Sequence, residues 1–160
     1  MTDLAVITKA IAAADQPDAV FQGLCDFADA LVGVKLFTVL AIDEPNALVR
    51  RAWSNMPEAY PVQGTKPMPP DDRFGQSTRS GAPMVTDGHE DMVKTFFDHE
   101  LISSLGCESC VNLPIIVAGE ALGTLNLLHE AGHWTPERLQ AVDQLRVPGA
   151  AAFMVARLFG

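Results

Sequence analysis

A pair of apolar runs around a glycine turn constrains the fold of this chain more than any other feature of its sequence. The stretch from Cys107 to Glu130 reads CESCVNLPIIVAGEALGTLNLLHE, and residues rich in Val, Ile and Leu lie on both sides of Ala118-Gly119-Glu120. Gly119 can adopt the positive φ angle that a tight chain reversal requires. The stretch is therefore predicted to be a β-hairpin.

Both faces of this predicted hairpin carry apolar side chains. Successive side chains of a strand point to opposite faces. One face carries Val111, Leu113, Ile115, Leu125 and Leu127, and the other carries Cys110, Asn112, Ile116, Thr124, Asn126 and Leu128. An antiparallel pair that is covered on both faces lies in the middle of its sheet. We therefore expect helices on one face and either further core or a pocket on the other.

Composition indicates one globular domain, residues 1–160, since 48% of the 160 residues are apolar and 19% are charged. The formal net charge of -9 would repel nucleic-acid phosphates and anionic lipid, and the eleven basic residues form no cluster. We expect neither nucleic acid nor membrane as a partner. The N-terminus lacks the basic and apolar regions of a signal peptide, and three cysteines fit reduced thiols. A cytoplasmic location is expected.

The remaining elements follow from hydrophobic periodicity and from turn residues. An amphipathic helix is predicted over residues 3–14, and a second helix begins near Pro17 and ends at Gly33. The next predicted elements are strands at 35–42 and 47–53, a proline-rich loop with a short edge strand within 54–72, a short helix at 73–79, a short strand at 82–87, and one or two helices within 92–105.

After the hairpin, Thr135 is predicted to cap a last helix that begins at Pro136. A kink or break is expected at Pro148-Gly149, because proline removes a helical hydrogen bond and collides with the preceding turn.

This order of elements resembles a GAF domain, the small-molecule sensing module that is related in architecture to PAS domains. Three local motifs carry the resemblance. The first is Gly75 followed by GAPMVTD at 81–87; the second is SCVNLPI at 109–115 with Gly119 and LGTLNL at 122–127; the third is WTPE at 134–137. Pro148-Gly149 departs from the family's uninterrupted last helix.

The resemblance implies an α+β fold (an α/β sandwich) with a six-stranded antiparallel sheet, terminal helices on one face and a loop-covered pocket on the other. It also implies a binding module rather than an enzyme, commonly a homodimer through its terminal helices. Such a module would bind a small organic ligand and signal through the dimer or a partner protein. The sequence identifies neither the ligand nor a cofactor.

Apolar and aromatic side chains with a few polar groups are expected to form the pocket. Asn112 and Asn126 share one face of the hairpin, and amides on an apolar face need partners. They would orient a ligand or, on the alternative interpretation, bond neighbouring backbone or water. The predicted ligand-binding residues are Trp53, Phe74, Phe96, Phe97, Leu101, Cys110, Asn112 and Asn126, although aromatic residues at helical spacing also fit a core.

The Cys107-x-x-Cys110 motif has the spacing of a redox pair or of half a metal site. The sequence has no second motif of this kind, and the other candidate ligands, Cys25, His89 and His99, lie on distant segments. Structural cysteines are therefore the favoured interpretation, and no metal site and no catalytic residue is predicted.

Two ligands known from GAF domains are disfavoured. None of the three cysteines is followed by the histidine common at a bilin attachment site, and the paired residues that resemble cyclic-nucleotide-binding members are missing. The alternative function is a GAF-type reductase of free methionine sulfoxide, in which one thiolate attacks sulfur and a second thiol resolves it. Those enzymes place their cysteines on a lid loop and farther apart than Cys107 and Cys110.

Overall fold

The computed structural model describes residues 3–62, 64–68 and 72–160. Its helices are α1 (Ala5–Ala12), α2 (Asp18–Val32), α3 (Asp72–Ser80), α4 (His89–Thr95), α5 (His99–Ser104), α6 (Pro136–Val142) and α7 (Arg146–Phe159), with a 3-10 turn at Asp143–Leu145. Its strands are β1 (Leu36–Asp43), β2 (Leu48–Ser54), β3 (Lys66–Pro67), β4 (Met84–Asp87), β5 (Ser109–Val117) and β6 (Glu120–His129). Within the described part of the chain, no helix has the length and apolar character needed to cross a bilayer.

The strands form one antiparallel sheet in the order β3-β2-β1-β6-β5-β4. The predicted hairpin is confirmed as β5 and β6, which are the most extensively paired neighbours and lie inside the sheet. Ala118 and Gly119 form its turn with φ angles of 51° and 80°. The fold class inferred from the sequence is therefore confirmed.

One face of the sheet packs against the helices from the two ends of the chain. The predicted apolar stripe of α2 is buried and includes Phe21, Leu24 and Phe27. It meets alternate residues of the central strands, together with Leu145 and Phe153 from the C-terminal segment. This shared burial of apolar surface is the main stabilising contribution to the fold.

The opposite face is covered by α3, α4, α5 and the loop after β2, which bury two separate apolar clusters. The cysteine cluster contains Leu36, Met56, Tyr60, Met92, Phe96, Ile102, Leu105, Cys107, Cys110 and Leu128. The α3 cluster contains Leu40, Ile42, Val49, Met68, Phe74 and Ala121.

The last helical segment is interrupted, but the interruption lies ahead of the proline. The 3-10 turn separates α6 from α7, and Pro148 is the third residue of α7, where its missing N–H would have had no acceptor within the helix. The prediction of a break at Pro148-Gly149 was wrong in position. Gly149 allows α7 to approach the sheet, since a Cβ there would lie 2.8 Å from Ile115 Cδ1.

Candidate functional site

A network of neutral polar side chains crosses the middle of the sheet on the face opposite α2. Asn112 Nδ2 donates to Asn126 Oδ1 at 2.8 Å, and Thr124 Oγ1 donates to the same oxygen at 2.9 Å. Asn126 Nδ2 donates to Thr38 Oγ1 at 3.0 Å. We call Thr38, Asn112, Thr124 and Asn126 the polar network.

Strand register assembles this network from residues far apart in the sequence. Asn126 lies directly opposite Asn112 on β5 and directly opposite Thr38 on β1. Asn112 is only 7% exposed, Thr38 and Thr124 are buried, and Asn126 is half-buried. Burying such groups is costly unless they are bonded, and here they satisfy one another.

The network also retains unused hydrogen-bonding capacity. An asparagine amide has two N–H donors, and the contacts given by the described residues use one donor on Asn112 and one on Asn126. A ligand above the sheet could accept from the remaining N–H groups. No charged side chain belongs to the network, so it suits a ligand that presents neutral polar groups.

The two apolar clusters flank the polar network. Cys110 joins it to the cysteine cluster, because the thiol donates to Asn112 Oδ1 at 3.6 Å. Leu40 of the α3 cluster lies opposite Thr124. A few polar groups between apolar walls is the usual composition of a small-molecule site.

The sequence did not point to three residues that lie in or beside the cysteine cluster: Tyr60, Asp98 and Arg51. Tyr60 belongs to that cluster, and its hydroxyl donates to a carboxylate oxygen of Asp98. The guanidinium of Arg51 lies 3.8 Å from the centre of the Tyr60 ring. Burial, followed by the bond to Asp98, raises the pKa of Tyr60, so its hydroxyl stays protonated as the donor.

Of the predicted ligand-binding residues, Cys110, Asn112 and Asn126 lie together at the polar network. Phe74 and Phe96 lie in the two flanking clusters, one on each side. The structure thus gathers these five residues on the expected face of the sheet, although their contact with a ligand stays a prediction.

Trp53 does not share that face. Val39 pairs with Trp53 while the next residue, Leu40, pairs with Arg51, so Ala52 is an extra residue that forms a β-bulge. The bulge turns Trp53 toward the helices, where its ring meets Phe37 edge-on at 6.2 Å. Trp53 therefore lies on the face opposite the polar network, and its contact with a ligand stays a prediction.

Phe97 and Leu101 also depart from their expected positions. Phe97 lies between α4 and α5 and is 91% exposed, with Lys66 Nζ 5.9 Å from its ring centre. Leu101 is 39% exposed. The one or two helices expected within 92–105 are the two short helices α4 and α5, and the side chains of Phe97 and Leu101 are exposed and do not cover the polar network.

Cys107 and Cys110 are free thiols buried in the cysteine cluster. Burial is the main cause that raises the pKa of each thiol. The thiolate is the reactive form of cysteine, so this environment makes both residues poor nucleophiles. Within the described residues, no three or more His, Cys, Asp and Glu side chains gather as metal ligands.

An open groove of about 780 Å³ lies elsewhere, between α1, α2 and the end of β2. It is lined in part by Asp15, Asp18, Asp26 and Trp53, and these three carboxylates are exposed. A second groove of about 260 Å³ lies between α3 and β4. Neither groove is lined by Asn112 or Asn126. We favour the polar network as the site because its polar groups are buried and mutually oriented, whereas exposed carboxylates are already solvated.

Comparison with known proteins identifies the fold. No curated protein shows significant similarity to the chain. The GAF domain of a two-component sensor histidine kinase from Bacillus halodurans is similar in structure, with 15% identity, a TM-score of 0.72, and coverage of 92% of this chain and 99% of that one. The phycocyanobilin-bound GAF domain of a cyanobacterial phytochrome has 17% identity and a TM-score of 0.65, and the match covers 96% and 93%.

A third similar structure is the free methionine-R-sulfoxide reductase from Neisseria meningitidis in complex with its substrate. It has 14% identity and a TM-score of 0.63, and the match covers 96% of this chain and 86% of that one. At such identities these likenesses show the fold alone. The family model of the GAF domain matches residues 16–146, most of the chain. The chain therefore belongs to the GAF domain family.

Proposed function

We propose that this GAF domain is a sensor module that binds a small organic ligand at the polar network and passes the signal through a homodimer or a partner protein. One observation carries the proposal: four neutral polar side chains from three central strands bond one another on an otherwise apolar face. Core packing alone would be served equally well by apolar residues at these positions, since replacing both partners of a buried hydrogen bond by apolar groups of similar shape can be nearly neutral in stability.

The chemistry of the face favours a ligand with a flat or compact apolar body and one or two neutral polar groups. The remaining amide donors of Asn112 and Asn126 would meet carbonyl-like acceptors. The clusters around Phe74 and Phe96 would contact the apolar part. The bilin of the phytochrome domain shows that a similar fold holds a small organic molecule. Covalent attachment of a ligand to this chain is disfavoured, since all three cysteines are buried.

The terminal helices support a dimer in the same proposal. α1 and α7 are in contact and leave large apolar side chains exposed: Leu4, Val6, Ile11, Val147, Met154, Leu158 and Phe159. Exposed apolar patches of this kind commonly mark an interface, and two-fold dimers are the most frequent assemblies. A cytoplasmic location, expected from the three cysteines, belongs to the proposal as well.

The reductase is the less favoured alternative. It would require a reactive thiolate beside a second thiol that can reach it. Cys107 and Cys110 lie at the start of a central strand, beneath α4 and α5, in surroundings that favour the neutral thiol.

A thermal-shift screen of small neutral metabolites tests the ligand proposal. We expect compounds that stabilise the native protein to lose their effect on Asn112→Leu. That variant should fold, because Asn126 Oδ1 keeps the bond from Thr124. Asn46→Leu is the matched control, since it removes an amide from the exposed turn between β1 and β2.

Two results would contradict the proposal. One is equal stabilisation of native and Asn112→Leu protein by the same compounds. The other is loss of stabilisation in Asn46→Leu to the same degree, which would show that the effect does not depend on the polar network.

A further inference from the structure

Two chain segments that cover the proposed site meet at one hydrogen bond. The first is the loop after β2, residues 55–62, and the second is the junction between α4 and α5. The Tyr60 hydroxyl on the loop donates to the carboxylate of Asp98, the residue immediately before α5. The side chain of Asp98 makes no capping bond to α5.

The loop is held to the sheet on its other side. Arg51 projects from β2 to stack on the Tyr60 ring at 3.8 Å, and its Nη1 donates to the Pro61 carbonyl at 2.8 Å. Tyr60 is therefore fixed relative to the sheet. Its hydroxyl bonds to Asp98, so the N-terminal end of α5 is connected to the sheet through Tyr60.

The junction of the α4–α5 segment is held less firmly than its two helices: Met92 of α4 and Ile102 of α5 are buried in the cysteine cluster, whereas Phe97 at the junction is exposed. α4 and α5 have seven and six residues, which is too short for a helix to be stable by itself. Phe97 and Leu101, which could have added burial, are largely outside the core. The junction buries little apolar surface and is therefore the part of this segment that we expect to open most readily.

We propose that Tyr60 and Asp98 form a latch, and that release of this bond lets the α4–α5 segment move away from the sheet and expose the polar network to ligand. The inference rests on the proposed function, because it assigns a route of access to the same site. Tyr60 and Cys110 belong to one apolar cluster, and Cys110 Sγ contacts Asn112. An opening that exposes the network would thus expose Cys110 too.

This relationship provides a test that needs no ligand. Native protein and Tyr60→Phe are treated with iodoacetamide, and the rate of alkylation is followed separately at each cysteine by mass spectrometry. Phenylalanine keeps the ring that packs beneath Arg51 and removes only the hydroxyl. Cys25 is an internal control, because it is buried on the opposite face of the sheet among the helices.

We expect Tyr60→Phe to raise the alkylation rate of Cys110 about tenfold, the usual effect of losing one hydrogen bond to a charged group on a local opening. Cys107, in the same cluster, should follow it, and the rate at Cys25 should change less than about twofold. An unchanged rate at Cys110 would overturn the latch. So would an equal rise at all three cysteines, because that pattern reports loss of global stability.

A double-mutant cycle tests whether the two residues act as a pair. Asp98→Ala should raise the rate at Cys110 as much as Tyr60→Phe, and the double variant should react no faster than either single variant. Additive increases would overturn the pairing. Since no ligand enters this assay, the two failures are distinguishable: failure of the latch leaves the Asn112→Leu screen unaffected, and failure of that screen removes the ligand-access role while the opening at Tyr60 and Asp98 stays measurable.

Discussion

Asn112 donates a hydrogen bond to Asn126 across the β5–β6 pair, at the position where the two residues lie directly opposite each other. The two partners differ in how many other hydrogen bonds their side chains make. Asn126 has further bonds to Thr124 and Thr38, whereas Asn112 has one further weak contact, from the Cys110 thiol.

We therefore predict that Asn126→Leu destabilises the domain more than Asn112→Leu. Removing Asn126 leaves buried polar groups of Asn112, Thr38 and Thr124 without their partner, at a cost of roughly 2–4 kcal/mol. Removing Asn112 leaves Asn126 Oδ1 bonded to Thr124, so we expect about 1 kcal/mol. Urea unfolding of both variants measures the difference. Equal losses would show that the network does not act as a connected unit.

Gly123 lies at a second irregularity of the sheet, where Ile115 pairs with Gly123 and Ile116 pairs with Ala121. A Cβ at Gly123 would overlap with the Leu40 carbonyl oxygen and the Phe153 ring. We predict that Gly123→Ala costs about 3 kcal/mol or more, because strand and helix would both have to shift. Gly64→Ala is the control, since a Cβ there has open space around it. A Gly123→Ala protein as stable as Gly64→Ala in urea would contradict the packing argument.

Strand alternation was enough to predict that Asn112 and Asn126 share one face of the hairpin, because the pairing is regular at that point, although their bond to each other was not predicted. Alternation alone would misplace Trp53. Val49 and Arg51 face the polar network, and alternation would place Trp53 beside them, but the extra residue Ala52 reverses the alternation. Nothing in the local sequence marks the bulge, so the face of Trp53 could not be predicted.

Helical spacing succeeded where a helix was continuous and failed where it broke. The helix predicted from near Pro17 to Gly33 is α2, and most of its apolar side chains are buried. Phe97 and Leu101 were expected over Asn112 and Asn126, but Phe97 lies in the break between α4 and α5, and both side chains are exposed. Tyr60 and Asp98 lie on segments that are far apart in the sequence, so a periodic sequence pattern cannot predict the hydrogen bond between them.

His129 gives the stability of the domain a predictable pH dependence. Its ring stacks on His133 at 3.5 Å between centres, and burial, then His133, Lys35 and Arg138, lower its pKa against the opposing effect of Glu130. The folded state therefore binds this proton less readily than the unfolded state. The contribution of His129 to stability is complete above its ordinary pKa of about 6.5 and is lost as the pH falls through the lowered value.

We predict that His129→Asn loses less stability than the native protein between pH 7.5 and pH 5. The Asn oxygen can replace His129 Nδ1 as acceptor for the Glu130 N–H. Urea unfolding at the two pH values measures the change in each protein. Parallel losses in native and variant protein would show that His129 does not carry this dependence.

Reduction of methionine sulfoxide separates the two candidate functions. With a dithiol as reductant, we predict no turnover of the free amino-acid sulfoxide, because burial raises the pKa of Cys107 and Cys110 and disfavours the attacking thiolate. The reductase from Neisseria meningitidis provides a positive control. Turnover that disappears in Cys110→Ser would favour the enzyme over the sensor.

The exposed end of α7 provides the test of assembly. Leu158 is 75% exposed, and with Phe159 and the outer residues of α1 it forms an apolar surface that pairing of two copies would bury. We predict a dimeric mass for the native protein by light scattering at micromolar concentration, and a monomeric mass for Leu158→Glu, because a buried unpaired carboxylate opposes association. Phe97→Glu is the control, since Phe97 is equally apolar and even more exposed but lies on the opposite side of the sheet. A monomeric native protein across this range would contradict the dimer, and an equal effect of Phe97→Glu would place the interface away from the terminal helices.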